Sequence, residues 1–183
     1  MIRALVPLTD GFEEMEAVTL IDVLRRGGVH VVTAALAPSL EVEGAHGMIL
    51  RADALFAEVS PAEYDALVLP GGPGVENMRR CGALLERVRR QKAEGRLLAA
   101  ICAAPLVLVE AGVLEPGQRG TCYPSCAVGL DRPCAGVPVV VDGRIVTGQA
   151  PGAALAFALA VLGVLKGEAI VKQVADGLVA RTV

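Results

Sequence analysis

No apolar run in this 183-residue chain is long enough to cross a bilayer. The longest uncharged one, Ala150 to Leu165, falls short of the roughly 20 residues a spanning helix needs and reads as a buried helix. A signal peptide's apolar region is missing as well, because Asp10, Glu13 and Glu14 follow Arg3 too closely. These features lead us to expect a cytoplasmic protein. Neither sign of charge dominates. Lys and Arg total 17, Asp and Glu 20, and the net charge of −3 supplies no field that would draw the chain onto nucleic acid or a membrane. The densest basic segment, Arg79 to Lys92, is interrupted by Glu86 and reads as a solvated helix face.

Histidine is scarce, with only His30 and His46, and the five cysteines contain no C-x-x-C pair. That excludes an ordinary structural zinc motif, and the odd cysteine count at irregular spacing argues against a disulfide framework. No metal is expected. Repeats, low-complexity tracts and linkers are also absent, so residues 1–183 read as one domain.

What the chain does have is apolar sequence, 54% of its residues, arranged as alternating strands and helices. Strands are predicted at 3–8, 29–36, 65–69 and 97–101, with hairpins over 40–51 and, across Asp142-Gly143, over 137–148. Helices are predicted at 15–26, 82–94, after Cys102 to about 111, at 152–165 and at 168–179. Strands that are apolar on both faces, separated by helices, imply an α/β sandwich: a mostly parallel sheet between helix layers.

In such sheets the chemistry collects beyond the carboxyl ends of the strands. Three strand exits stand out: Asp10 to Glu16, Gly71-Gly72-Pro73-Gly74, and Cys102-Ala103-Ala104-Pro105. The last resembles a nucleophile elbow, where a tight strand-to-helix turn between small residues exposes one reactive atom. Pro105 suits a helix start, and the positive end of that helix is expected to lower the Cys102 pKa. Three glutamates crowd one helix start at 13, 14 and 16, so repulsion should raise at least one pKa. Glu13 fits a solvent-facing role. Glu14 and Glu16 stay open, a protonated one being able to donate a hydrogen bond to sulfur. The Gly-Gly turn, with the Ala103 N–H, can supply oxyanion donors. As a dinucleotide fingerprint Gly72-x-Gly74 is poor, and the acidic first loop would repel phosphate, so no nucleotide cofactor is expected.

The segments GFEEMEAV at 11–18, LPGG at 69–72, AAICAAP at 99–105 and APGAALAFAL at 150–159 resemble the ThiJ/PfpI superfamily in order and spacing. The nearest branch is the YajL/ThiJ group, which includes the parkinsonism-associated deglycase. This resemblance implies a flavodoxin-like fold and a homodimer, the latter also suggested by the high apolar content. It further implies that Cys102 is the nucleophile, that Glu16 hydrogen-bonds its sulfur, and that Gly72 and Ala103 contribute N–H groups. Gly71 and Tyr123 line the site by the same resemblance. The implied activity is action on a small reactive carbonyl without a cofactor, converting methylglyoxal or its early adducts to lactate as a glyoxalase III or deglycase would. The alternative is an oxidative-stress sensor or redox-regulated chaperone using the same cysteine. Two departures stand out. Ala103 follows the nucleophile where protease-like relatives have histidine, which disfavours peptidase activity. His46, at a Gly-rich hairpin tip where close relatives carry arginine, reads first as an exposed loop residue; the sharper alternative is that it reaches the partner subunit's Cys102 pocket and makes cysteine reactivity depend on pH.

Overall fold

The computed structural model describes residues 1–114, 117–134 and 136–180; residues 181–183 of the expected 1–183 unit lie outside them. The chain begins with β1 (Arg3–Leu8), α1 (Glu14–Arg26) and β2 (His30–Ala35). A small hairpin follows, β3 (Glu41–Glu43) with β4 (Ile49–Arg51), then β5 (Ala54–Leu55), α2 (Phe56–Val59) and β6 (Ala66–Leu69). Next come α3 (Val75–Arg80), α4 (Gly82–Ala93), β7 (Leu97–Ile101) and α5 (Pro105–Glu110). The last part holds β8 (Arg119–Gly120), β9 (Arg132–Pro133), β10 (Val139–Asp142), β11 (Ile145–Gly148), α6 (Ala154–Lys166) and α7 (Glu168–Gly177).

Seven strands form one sheet in the order β10-β11-β7-β6-β1-β2-β5. All neighbours run parallel except the β10–β11 hairpin at one edge. The buried strands split their side chains by period two. Ala4, Val6 and Leu8 of β1, with Ala99 and Ile101 of β7, pack on the side of α1 and α6. Leu5, Leu98 and Ala100 face the other layer, with Val88 of α4 and Val107 and Leu108 of α5. Two cores therefore lie on either side of the sheet, which is the expected flavodoxin-like sandwich. No helix among the described residues is long and apolar enough to cross a membrane.

The predicted long elements are present with ends shifted by a residue or two. Helix α1 starts at Glu14 because the Glu13 carboxylate caps it, accepting from the Glu16 N–H at 2.7 Å. Cys102 to Ala104 form the expected turn and Pro105 opens helix α5. The elements β5, α2, α3, β8 and β9 were not predicted, each being too short for a periodic pattern.

Phe157 of α6 is a fully buried anchor of the first core, whereas Val128 is 95% exposed. In urea denaturation Phe157→Ala should cost about 3–5 kcal/mol, and Val128→Ala within about 0.5 kcal/mol of nothing.

Candidate active site

Sheet order explains why distant segments meet. Strands β11, β7, β6 and β1 are consecutive in the sheet, and from β1 to β11 they run parallel, so their carboxyl ends form one row. The chain leaves β7 through Cys102, whose φ of 64° lies in the left-handed region that an L-residue adopts at a cost of roughly 1–3 kcal/mol. Two backbone hydrogen bonds hold it there. The Cys102 N–H donates to Gly148 O at 2.9 Å, and the Tyr123 N–H donates to Cys102 O at 2.8 Å. This is the geometry of an elbow, with the sulfur at a turn and the residue only 8% exposed.

Glu16 comes to that sulfur from two strands away. It lies in the first turn of α1, is 1% exposed, and its Oε2 accepts the Gly71 N–H at 2.7 Å. Its Oε1 is buried with no nitrogen or oxygen partner among the described residues, and the carboxyl is hydrogen-bonded to the Cys102 thiol. Backbone N–H groups of Gly72 and Ala103 also donate to the sulfur. Glycine is required at the crossing point. A Cβ on Gly71 would lie 2.6 Å from Cys102 Cβ and 2.7 Å from Glu16 Oε2, and Gly72 has a φ of +100° with Gly11 O 2.4 Å from where its Cβ would be.

Burial pushes the Glu16 carboxyl up to about 7, against the Gly71 and Cys102 hydrogen bonds; Glu13 adds a smaller upward push. Burial also drives the Cys102 thiol up to about 12, with the Glu16 charge second, although the Gly72 and Ala103 N–H groups pull it down. The expected lowering of the cysteine pKa therefore does not hold while Glu16 is ionised. Helix α5 is only six residues long, and its field is outweighed by desolvation and by the neighbouring carboxylate.

A model of the DJ-1/PfpI family matches residues 2–163. The chain belongs to that family. It is 40% identical to the protein dj-1beta of Drosophila melanogaster over 96% of this chain and 95% of that one. It is 38% identical to a deglycase of Pyrococcus abyssi over 82% of this chain and 92% of that protein. The DJ-1 homologs A and B of Arabidopsis thaliana are 39% and 36% identical, and the chain spans less than half the length of each, 46% and 42%. Among solved structures, Drosophila DJ-1beta superposes with a TM-score of 0.95 at 37% identity over 99% of both chains. Oxidized DJ-1 of Toxoplasma gondii gives 0.94 at 35% identity over the whole of both.

The other acidic residues of this DJ-1/PfpI chain are committed to structure. Glu13 is buried as the α1 cap and does not face water as expected. Glu14 accepts the His46 backbone N–H at 2.6 Å and meets His46 Nδ1 at 2.8 Å. Burial would raise the Glu14 carboxyl, but the His46 side-chain and backbone hydrogen bonds hold it down at about 2. The same pairing raises the His46 pKa. His46 is thus tied to Glu14 of its own chain at the β3–β4 tip, with its side chain 73% exposed. Ligand-type atoms of Glu13, Glu14 and His46 lie within 4.8 Å of one another, the spacing a metal ion would need, but these same atoms already serve the cap and the His46 pair. Tyr123 stands beside the elbow through its N–H, with 45% of its surface exposed. The second backbone clamp, Gly148 O, was missed by sequence reasoning. The only signal for it was that β11 had to neighbour β7.

A buried acid whose pKa rises on folding stabilises the fold while protonated, and that contribution is lost as pH climbs through its folded value. Glu16 should therefore cost wild-type stability between pH about 4.5 and about 7, up to roughly 3 kcal/mol. Denaturation of Glu16→Gln across this range should lack that slope. An unchanged slope would place the titration elsewhere.

Proposed function

We propose that this protein is a cofactor-independent enzyme acting on small reactive carbonyls, with Cys102 as nucleophile and Glu16 as its proton partner. One observation carries the reading: a buried carboxyl facing the sulfur of an elbow cysteine, with backbone N–H groups of Gly72 and Ala103 on the same sulfur. Two negative charges are excluded from this pocket near neutrality, because an ionised Glu16 keeps the thiol protonated. The pair instead holds one proton and one negative charge. With the proton on Glu16 Oε1, the thiolate is steadied by the O–H and by both backbone donors. The name of the Pyrococcus relative, a deglycase, supports the carbonyl class.

In this reading the thiolate adds to the aldehyde carbon of methylglyoxal, and Glu16 delivers its proton to the alkoxide to give a hemithioacetal. Glu16 then removes the proton on that carbon and returns a proton to the adjacent carbonyl carbon through an enediol, leaving a lactoyl thioester. Water hydrolyses the thioester, releasing lactate and restoring the thiol. The sum is methylglyoxal plus water to lactate, with no external oxidant or reductant. Purified wild type should form lactate from methylglyoxal, Cys102→Ser should form none above background, and Glu16→Gln should lose about 10²–10⁴ in kcat. If wild type forms no lactate, the carbonyl reading fails and the redox-sensor alternative takes its place.

We also propose a homodimer. Met15 and Val18 on α1, and Met48 and Ile49 on the β3–β4 hairpin, are apolar and 43–63% exposed. The His46–Glu14 pair and the Ala45 N–H to Phe12 O bond (2.8 Å) join hairpin to helix, so both belong to one supported surface. Sedimentation at micromolar concentration should show a dimer, and a monomer alone would refute it.

A further inference from the structure

Among the described residues, the side chain with the most buried unpartnered atoms plays no part in the chemistry at the sulfur. Arg87, in the middle of α4, is 3% exposed. Its Nε, Nη1 and Nη2 are all buried and have no hydrogen-bond partner among the described residues. A guanidinium carries five N–H donors and keeps its charge at any physiological pH, so a buried one without an acceptor is rare in a folded protein. The charge of Glu94 and the Tyr64 ring, whose centroid is 5.8 Å from the guanidinium carbon, supply attraction, but neither accepts a hydrogen bond from Arg87.

Neighbouring acids do not fill the gap. Glu94 is taken by Arg90 and Arg96, and Glu63 by Arg96. A second arginine, Arg3, sits 4.7 Å from the same Tyr64 ring, so the surroundings are cationic. Arg87 also forms part of the wall of a cavity of about 280 Å³ between α4 and the Ser60–Pro61 turn. Arg90 and Ser60 line it too, and the Ser60 hydroxyl makes no hydrogen bond among the described residues. Glu86 is the one carboxylate in the wall, and it is exposed and unpaired there.

We infer that this cavity is a binding site for a small phosphate-class oxyanion, held by Arg87 with Arg90 and Ser60. The Arg87 nitrogens do not reach the cavity surface as they stand, so binding requires the fork to turn outward from the Tyr64 ring, giving up no hydrogen bond. Two N–H groups of the fork match two oxygens of a tetrahedral oxyanion, Arg90 adds charge, and the Ser60 hydroxyl can donate to a third oxygen. The volume exceeds that of bare phosphate, so the anion can be free or the terminal group of a small phosphate monoester. Glu86 opposes binding and limits its strength.

Thermal unfolding at matched ionic strength tests this, with inorganic phosphate in one arm and glycerol phosphate in the other, each against chloride. Above its Kd, each tenfold increase in a bound anion should raise the wild-type Tm by about 3–5 °C. Arg87→Met, which keeps the side-chain volume and removes the buried charge, should fold, match or exceed wild type in chloride, and show no anion-specific rise. Glu86→Gln should respond at lower anion concentration than wild type. A response in both arms identifies the phosphoryl group as the recognised unit, and one confined to inorganic phosphate identifies the free ion. A wild-type Tm that follows ionic strength alone, or an Arg87→Met response equal to wild type, overturns the site.

Discussion

The backbone of Cys102 cannot relax without moving two other segments. At φ 64° it is strained, and the strain is held by Gly148 O on one flank and the Tyr123 N–H on the other. Both partners come from segments later in the chain, so the elbow forms only once β11 has docked beside β7. Everything on the reactive sulfur follows from that turn. The turn presents the thiol to the Gly72 and Ala103 N–H groups and to the free oxygen of Glu16. The parallel register across β1, β6 and β7 supplies the rest of the alignment, and the Glu16 side chain spans from the β1 exit to Gly71 and Cys102.

Electrostatics in the pocket is governed by exclusion of a second charge. Burial raises both acids; the Glu16 charge makes ionisation of Cys102 harder still, whereas the hydrogen bond from the Cys102 thiol eases ionisation of Glu16. This differs from a cysteine activated by a helix field alone, where the thiolate forms independently of its neighbours. In the proposed function the reactive state is a position of one proton between sulfur and carboxyl. The surrounding acids are kept out of that exchange, Glu13 by capping α1 and Glu14 by its bond to His46.

Much of this was legible in the sequence. The apolar runs at 3–8 and 97–101 and the helix-length patterns between them specify the sandwich, and small residues around Cys102 mark the elbow. Parallel strands bring the first and third exit loops to Cys102, but the choice of Glu16 over Glu14, and of Gly71, rested on the family resemblance. The sign of the cysteine pKa change was not legible, because it depends on how deeply sulfur and carboxyl are buried, which no local pattern encodes. Nor was the role of Glu13: as a cap it is defined by one hydrogen bond to a backbone N–H. Arg87 misled in the other direction. It lies within a basic stretch that reads as a solvated face, yet its position on α4 turns it inward, and only packing against Tyr64 reveals this.

Most of the donors at the site are main-chain N–H groups, and this shapes its tolerance to sequence drift. No substitution other than proline deletes the N–H of Gly71, Gly72 or Ala103, so mutational scans that truncate residues will find few sensitive positions around the sulfur. The vulnerable positions are those where an atom is added. At Gly71 the first carbon of any side chain would meet both Cys102 and Glu16. Selection on this pocket therefore acts mainly against growth, and its record across related sequences should be one of retained smallness rather than of retained functional groups.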